Sequence, residues 1–203
     1  MTTSLDDRLE QVLPRVTSDE FLAGQGIGNE IACYIFDYSP ADELVVRKHL
    51  GWMVERLASH HRGLKTLHLN LLDVVTAYLS ERGLLEKALQ LQVAKGDAAM
   101  LSALKGPLSA EKVRDFIAAR YQPRDFNLVL LSGVGSVWPM LRAHSLLNCL
   151  HTIMGTTPLV MFYPGSFDGT TLKLFGQIAS AASNPGAKSY YRAFQLVPGG
   201  SHT

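Results

Sequence analysis

The sequence predicts an α/β fold: a mostly parallel five-stranded sheet with helices on both faces, in a P-loop-like or Rossmann-like arrangement without a Walker A motif. Short runs of strand-forming apolar residues alternate with segments whose apolar residues recur at helical spacing. Several of these runs are apolar at nearly every position, which is typical of parallel strands buried on both faces. The 203 residues are enough to bury a proper core without disulfides or metals.

The predicted strands are bounded by turn-forming residues and separated by predicted helices. The strands are expected at 31–36, 64–72, 126–131, 158–163 and 190–197, and partial alternation in the last predicts a strand at the sheet edge. Helices are expected over 4–16, 40–58, 139–154 and 172–182. Ser39 suits the N-cap of the second helix and Pro40 suits its first position.

Residues 73–121 carry helical spacing throughout. Gly83, Gly96 and the Gly106-Pro107 pair divide them into three or four helices. About 45 residues are few for an independent core. We therefore expect a helical insertion within a single α/β domain spanning 1–198, followed by a disordered tail at 199–203.

Composition excludes several classes of function. The net charge is +1, so no global field attracts phosphate, and the only basic run is His60, His61, Arg62 and Lys65. Cys33 and Cys149 lie among apolar residues and predict buried thiols in a reducing compartment. The N-terminus does not resemble a signal peptide, and no apolar run approaches the ~20 residues of a membrane span. These features predict a cytoplasmic protein without membrane contact.

No sequence pattern predicts a complete catalytic, metal or cofactor site. A P-loop needs GxxxxGK[ST] after a strand, whereas the first strand runs into Asp37, Tyr38 and Pro40. A carboxylate would repel a triphosphate, and proline lacks the amide that could bind one. Where a metal-binding acid is expected after 126–131, the sequence has Ser132 and Gly133. We therefore expect no enzymatic activity and no cofactor.

Ligands of parallel sheets bind beyond the carboxyl ends of the strands, which here predicts the loops 37–40, 132–136 and 164–169. The amides of 133–136 follow a strand and are expected to lead into a helix, so they could hold an anion. In that helix His144, Asn148 and His151 share one face, which favours a polar interface over a metal site. Asp168 is expected to cap the helix over 172–182.

Four strings of residues are more specific. They are 26–30 with 34–38, 133–142 with His144 and 146–148, 161–165 with Asp168, Gly169 and 174–176, and 190–194. Occurring in this order from about Phe21 to Pro198, they resemble the BrxB family of BREX bacteriophage-defence systems. The helical stretch 73–121 contains no matching string.

The resemblance implies a non-enzymatic adaptor or scaffold that binds a PglZ-type phosphatase-like protein, and with it other BREX subunits. The alternative is a nucleotide- or nucleic-acid-binding module that uses the strand-end loops. The candidate residues for binding a partner or an anion are Gly26, Gly28, Asn29, Glu30, Asp37, Tyr38, Gly133, Gly135, Ser136, Trp138, Arg142, His144, Asn148, Tyr163, Asp168 and Arg192.

Overall fold

The computed structural model describes residues 4–23, 33–175 and 193–198, and every structural statement below refers to these ranges. The helices are α1 (Leu5–Val16), α2 (Asp19–Leu22), α3 (Glu43–His60), α4 (Leu71–Glu81), α5 (Leu85–Lys95), α6 (Asp97–Leu104), α7 (Ala110–Tyr121) and α8 (Ala143–Met154). The strands are β1 (Cys33–Tyr38), β2 (Thr66–Asn70), β3 (Leu128–Ser132), β4 (Leu159–Phe167), β5 (Leu172–Leu174) and β6 (Ala193–Gln195).

Five strands form a parallel sheet in the order β2-β3-β4-β1-β6, and β5 pairs antiparallel with β4. The predicted fold class is thus confirmed, and β6 lies at the edge as its alternating sequence predicted. The register aligns Tyr38 with Pro164 and Asn70 with Ser132. The carboxyl ends of neighbouring strands therefore meet along one edge of the sheet.

Helices cover both faces of the sheet because alternate residues of each strand point to opposite sides. Leu131 and Met161 point to the side covered by α4 to α8, whereas Leu130 and Phe162 point to the side covered by α1 and α3. The two sides have separate clusters of buried apolar residues. The central strands are therefore apolar at nearly every position, which is the pattern that predicted a parallel sheet.

The helical stretch consists of α4 to α7, in agreement with the three or four helices that glycine and proline spacing predicted. Gly83 lies between α4 and α5 and has a φ of 62°, and Gly96 lies between α5 and α6 and has a φ of 81°. Leu104, Val113 and Ile117 are buried in the same cluster as α4 and α8. The helices thus pack against the sheet, and their status as an insertion within one domain stays a prediction.

Three local predictions were wrong. Helix α8 begins at Ala143, since 133–142 instead holds a 3₁₀ turn (Gly135–Val137) followed by extended backbone at Trp138. Residues 172–174 form β5, Phe175 has a left-handed backbone, and residues 176–182 of the predicted helix lie outside the described residues. Strand β4 runs four residues past Tyr163 because Gly165, Ser166 and Phe167 pair with β5. The hairpin turn contains Gly169, whose φ of 90° favours glycine.

Asp37 lies inside β1 and is buried, so its predicted place in a strand-end loop was wrong. Its Oδ1 atom accepts a hydrogen bond from Arg8 Nη2 at 2.8 Å, and its Oδ2 atom accepts one from the Phe167 amide at 3.1 Å. Gln195 Nε2 also donates to Oδ1, at 3.3 Å. Arg8 in turn donates to the Val197 carbonyl at 3.1 Å. This buried ion pair connects α1, β1, β4 and the segment that follows β6.

We predict that Asp37→Ala lowers the free energy of unfolding by about 3–5 kcal/mol, since it leaves the buried Arg8 guanidinium uncompensated. Urea denaturation would measure the loss. The double substitution Arg8→Met with Asp37→Leu should recover part of it, because both charges are removed. Glu81→Ala, which breaks the exposed pair of Glu81 with Arg120, should cost less than about 1 kcal/mol. Equal losses at the exposed and buried pairs would contradict the prediction.

Candidate partner-binding surface

Gly133 is the first residue after β3, and it packs directly against the last residue of β2. Its φ is 73°, a left-handed conformation that favours glycine. A Cβ atom at this position would lie 2.4 Å from Asn70 Oδ1 and 3.2 Å from the Leu71 amide nitrogen. Asn70 cannot easily move away, because its Oδ1 atom accepts a hydrogen bond from the Leu72 amide at 3.0 Å. The left-handed backbone and the lack of space for a Cβ atom both require glycine at this position.

Gly135 is favoured for a different reason, which is close packing of side chains from outside the loop. A Cβ atom there would lie 3.0 Å from Pro164 Cγ and 3.1 Å from the Phe175 ring. The loop is thus covered by β4 and by the residue that follows β5. Helix α8 starts only at Ala143, so the amides of 133–136 do not form its N-terminus. Close packing explains both glycines, and the strand–loop–helix geometry expected of an anion site is not formed.

The same loop presents an exposed aromatic pair. Trp138 and Phe175 are 50% and 40% exposed, and their rings meet edge to face with centroids 6.0 Å apart. Phe175 has a φ of 53°, which is uncommon for a residue with a side chain. Its amide donates to the Pro164 carbonyl at 3.0 Å, which holds this conformation. The left-handed backbone places the Phe175 ring over Gly135 and beside Trp138.

Polar and cationic side chains flank the aromatic pair along the chain. Ser136 and Arg142 are exposed, and Arg142 occupies the N-cap of α8 without a capping hydrogen bond from its side chain. Burial lowers the pKa of the half-buried His144, and the positive charge of Arg142 lowers it further. Asn148 is exposed one turn later, whereas Leu146, Leu147 and Leu150 face the core. We define the strand-end surface as Ser136, Trp138, Arg142 and Phe175.

Two predicted candidates at the strand ends are buried tyrosines. The Tyr38 hydroxyl donates to Glu43 Oε2 at 2.6 Å, and burial together with this carboxylate raises the Tyr38 pKa. Tyr163 is 2% exposed and packs within the cluster under α4 to α8. Both rings therefore support the edge of the sheet from inside.

Asp168 was predicted to cap a helix, and it organises the β4–β5 turn instead. Its Oδ1 atom accepts hydrogen bonds from the Thr171 and Thr170 amides and from the Thr170 hydroxyl, at 2.7–3.0 Å. These bonds lower the pKa of Asp168, the Thr171 amide contributing most. A short carboxylate that binds amides two and three residues ahead is typical of turns. The remaining candidates, Gly26, Gly28, Asn29, Glu30 and Arg192, lie outside the described residues.

Sequence reasoning missed a hydrogen bond between the middle of β2 and the end of β3. His68 Nε2 lies 2.8 Å from the Ser132 hydroxyl oxygen. Partial burial of the otherwise exposed ring lowers the pKa of His68, and the nearby carboxylate of Asp73 opposes the shift. A polar residue between Leu67 and Leu69 could have indicated that one face of β2 is not fully covered. Its partner could not be read from sequence, since that depends on the β2–β3 register.

Among the described residues, no group of three or more His, Cys, Asp and Glu side chains could hold a metal ion. In the same ranges no helix has the length and apolar character needed to cross a membrane.

Fold and site together define a parallel α/β protein with an exposed aromatic pair, Trp138 and Phe175, among the loops at the carboxyl ends of its strands. A family model described as BREX protein BrxB matches residues 67–196. The chain is 40% identical over 194 residues to a BREX protein BrxB of Escherichia coli O9:H4 (strain HS), covering 96% of this chain and 92% of the relative. It is also 40% identical over 197 residues to a BREX protein BrxB of Bacillus cereus (strain H3081.97), covering 95% and 97%. No solved structure matches the chain.

The chain belongs to the BrxB family, and it is a component of a BREX phage-defence system. The resemblance inferred from the four strings is therefore confirmed. The family match also includes α4 to α7, where no string could be recognised.

We predict that Gly133→Ala destabilises the fold more than Gly83→Ala. Both glycines have similar positive φ, 73° and 62°, but a Cβ atom at Gly83 has nothing within 4 Å. Gly83→Ala should therefore cost about 1–2 kcal/mol for the left-handed backbone alone, whereas Gly133→Ala adds the clash with Asn70. Thermal unfolding of both variants measures the difference. Equal losses would show that Asn70 moves aside freely.

We predict that stability falls as the pH drops from 7.5 to 5.5, and that His68→Gln weakens this dependence. Burial lowers the pKa of His68 in the folded state below the value of 6.5 expected when unfolded, so the unfolded chain binds the proton more tightly. The folded state is therefore not penalised by His68 above pH 6.5, where the ring is neutral in both states, and it loses stability as the pH falls below 6.5. Urea midpoints at pH 7.5, 6.5 and 5.5 measure the effect. His49 and His144 shift in the same direction, so the variant should retain part of the dependence.

Proposed function

We propose that the chain is a non-enzymatic adaptor of its BREX system and that the strand-end surface binds a PglZ-type protein. The observation that carries the proposal is the half-exposed Trp138–Phe175 pair, which Arg142 follows along the chain four residues after Trp138. Tryptophan and arginine are the residues most enriched among those that dominate binding energy at protein interfaces, and aromatic residues are enriched in interface cores.

The rigidity of this surface supports the proposal. Pro164 and Phe175 pack on Gly135, and Asn70 packs on Gly133. Val137, the residue before Trp138, is buried in the core. A side chain that is already held in place loses little conformational freedom on binding. The left-handed backbone of Phe175 costs about 1–2 kcal/mol, and such strain is concentrated at functional sites.

The alternative, a nucleotide or nucleic acid at the strand ends, has less support. The core of such a site would be the loop 133–136 with Arg142, and packing of neighbouring residues already accounts for Gly133 and Gly135. Isothermal titration calorimetry with ATP, GTP and short DNA duplexes tests the alternative. Binding of any of them that Arg142→Ala abolishes would favour it over the adaptor.

We predict that the chain elutes as a complex with the PglZ-type protein of its own system when the two are co-expressed, and that Trp138→Ala weakens the complex. Removing a central interface tryptophan costs about 2 kcal/mol or more, which raises the dissociation constant about 30-fold. Arg142→Ala should weaken the complex in the same direction. Biolayer interferometry with the purified PglZ-type protein measures both effects.

Two control variants lie on α5. Val93 is 90% exposed, so Val93→Ala removes an exposed apolar side chain away from the strand-end surface. Lys95→Ala removes an exposed cation in the same way. Both should leave the dissociation constant unchanged. The adaptor proposal fails if the two proteins do not co-elute at physiological salt, and the strand-end surface fails if the α5 variants weaken the complex as much as Trp138→Ala.

A further inference from the structure

A serine and a histidine meet on one face of the sheet, where the edge strand β2 lies beside β3. His68 is in the middle of β2, and Ser132 is the last residue of β3. The register pairs Asn70 with Ser132, so His68, two residues before Asn70, points to the same face as Ser132. Its Nε2 atom lies 2.8 Å from Ser132 Oγ. This separation is within the range of about 2.6–3.2 Å at which a base activates a nucleophile.

The hydrogen bonds of this pair assign a role to each atom. Within the described residues, Ser132 Oγ forms a hydrogen bond only with His68 Nε2. Partial burial lowers the pKa of His68 below its usual 6.5, so the imidazole is neutral at pH 7. A neutral imidazole has one nitrogen that accepts, and the serine hydroxyl has no other acceptor in this part of the chain. We therefore assign Ser132 as the donor and Nε2 as the acceptor.

The pair lies where a ligand can reach it. His68 is exposed and Ser132 is half-buried, at the carboxyl end of β3. Ligands of parallel sheets bind beyond these strand ends. Gly133 follows Ser132 directly, and its N–H donates to no carbonyl among the described residues. In α/β hydrolases the amide at this position, next to the nucleophile, binds the oxyanion.

A second serine–histidine contact shows the ordinary, unreactive arrangement. Ser59 Oγ lies 2.7 Å from His60 Nδ1 near the end of α3. The same hydroxyl donates to the Glu55 carbonyl at 2.8 Å, as serines in helices commonly do. The Ser59 proton is therefore directed at the backbone and away from the ring nitrogen. No backbone carbonyl competes for the Ser132 proton within the described ranges.

We propose that Ser132 is an acyl-acceptor site, at which His68 acts as the base and Ser132 Oγ takes one acyl group from an activated carboxylic ester or thioester. A bond forms between Oγ and the carbonyl carbon, and the bond from that carbon to the leaving oxygen or sulfur breaks. The hydroxyl proton passes to His68 Nε2 and from there to the leaving group. The products are the acylated chain and an alcohol or thiol.

The reaction is expected to stop at the acylated serine. In serine hydrolases a carboxylate hydrogen-bonded to the second ring nitrogen orients the base and stabilises its charged form. Among the residues that the structure describes, His68 forms a hydrogen bond only with Ser132, and Asp73 acts on the ring through its charge. The chain is thus the acceptor and does not turn over. This inference goes beyond partner binding, because it adds a covalent modification site to the adaptor.

The test is acetylation of the purified full chain by p-nitrophenyl acetate at pH 7.5. We expect one rapid equivalent of p-nitrophenol per chain, and peptide mass spectrometry should locate the acetyl group on Ser132. Ser132→Ala should remove the rapid equivalent. His68→Gln should slow it roughly 100-fold or more, which is the usual contribution of a positioned base. Ser59→Ala, which removes the other serine in contact with a histidine, is the matched control and should react at the native rate.

Several outcomes overturn the proposal. The mass spectrum of the native chain decides first, since acetyl groups found only on lysines or on Ser59 contradict it without any variant. A rate that His68→Gln leaves unchanged, with circular dichroism showing a folded variant, contradicts the role of the base. Release of p-nitrophenol that continues after one equivalent contradicts the acceptor role. The purified chain is tested alone, so these results do not depend on whether a PglZ-type protein binds.

The pH dependence of the acetylation rate provides a separate measurement. Protonated His68 cannot accept the serine proton, so the rate should be constant from pH 7.5 to 6.5 and fall at lower pH. Asp73 is the charged group that acts on His68, and Asp73→Asn should move the fall to lower pH, because its carboxylate raises the pKa of the ring. A rate that does not change between pH 7.5 and 5 overturns the assignment of His68 as the base.

Discussion

The contact between Arg8 and Asp37 joins parts of the chain that are far apart in sequence, and the arrangement of the sheet depends on it. Asp37 is the buried acid of β1, and its two oxygens accept hydrogen bonds from Arg8, Phe167 and Gln195. Arg8 also lies over the Phe36 ring, 4.8 Å from its centroid, and donates to the Val197 carbonyl. A buried charge is tolerated only when paired and hydrogen-bonded. Moving α1, the end of β4 or the chain beyond β6 would leave one of these groups without its partner.

This constraint extends to the strand-end surface. Since Asp37 holds the Phe167 amide, the end of β4 is fixed, and with it the hairpin that pairs Gly165 with Leu174. The hairpin carries Phe175 to Gly135, and the contact leaves Trp138 at the surface. A series of close contacts therefore positions the exposed aromatic pair, and the first of these contacts is the buried Arg8–Asp37 ion pair.

Periodicity predicted the parts of the structure that repeat, and it could not predict the parts that depend on one tertiary contact. The parallel sheet follows from local patterns and was confirmed, whereas Ser39 caps a 3₁₀ turn (Pro40–Asp42) that precedes α3 and not α3 itself. Asp37 was predicted in a loop because no local signal points to Arg8, 29 residues away. The start of α8 and the strand at 172–174 were missed for the same reason. The positive φ of Phe175 has no sequence signature at all, so the aromatic pair could be found only in the structure.

Helix α3 and the strand-end surface rest on different parts of the core. Helix α3 packs in the cluster shared with α1 and Phe162, whereas Val137 and Leu141 anchor the loop of Trp138 in the cluster under α4 to α8. The sheet separates the two clusters, so substitutions on one face share no packing partners with the other. Effects at distant sites without shared partners are usually additive. A substitution on one side of the sheet should therefore leave the packing on the other side unchanged, because the described central strands between them have no exposed side chains.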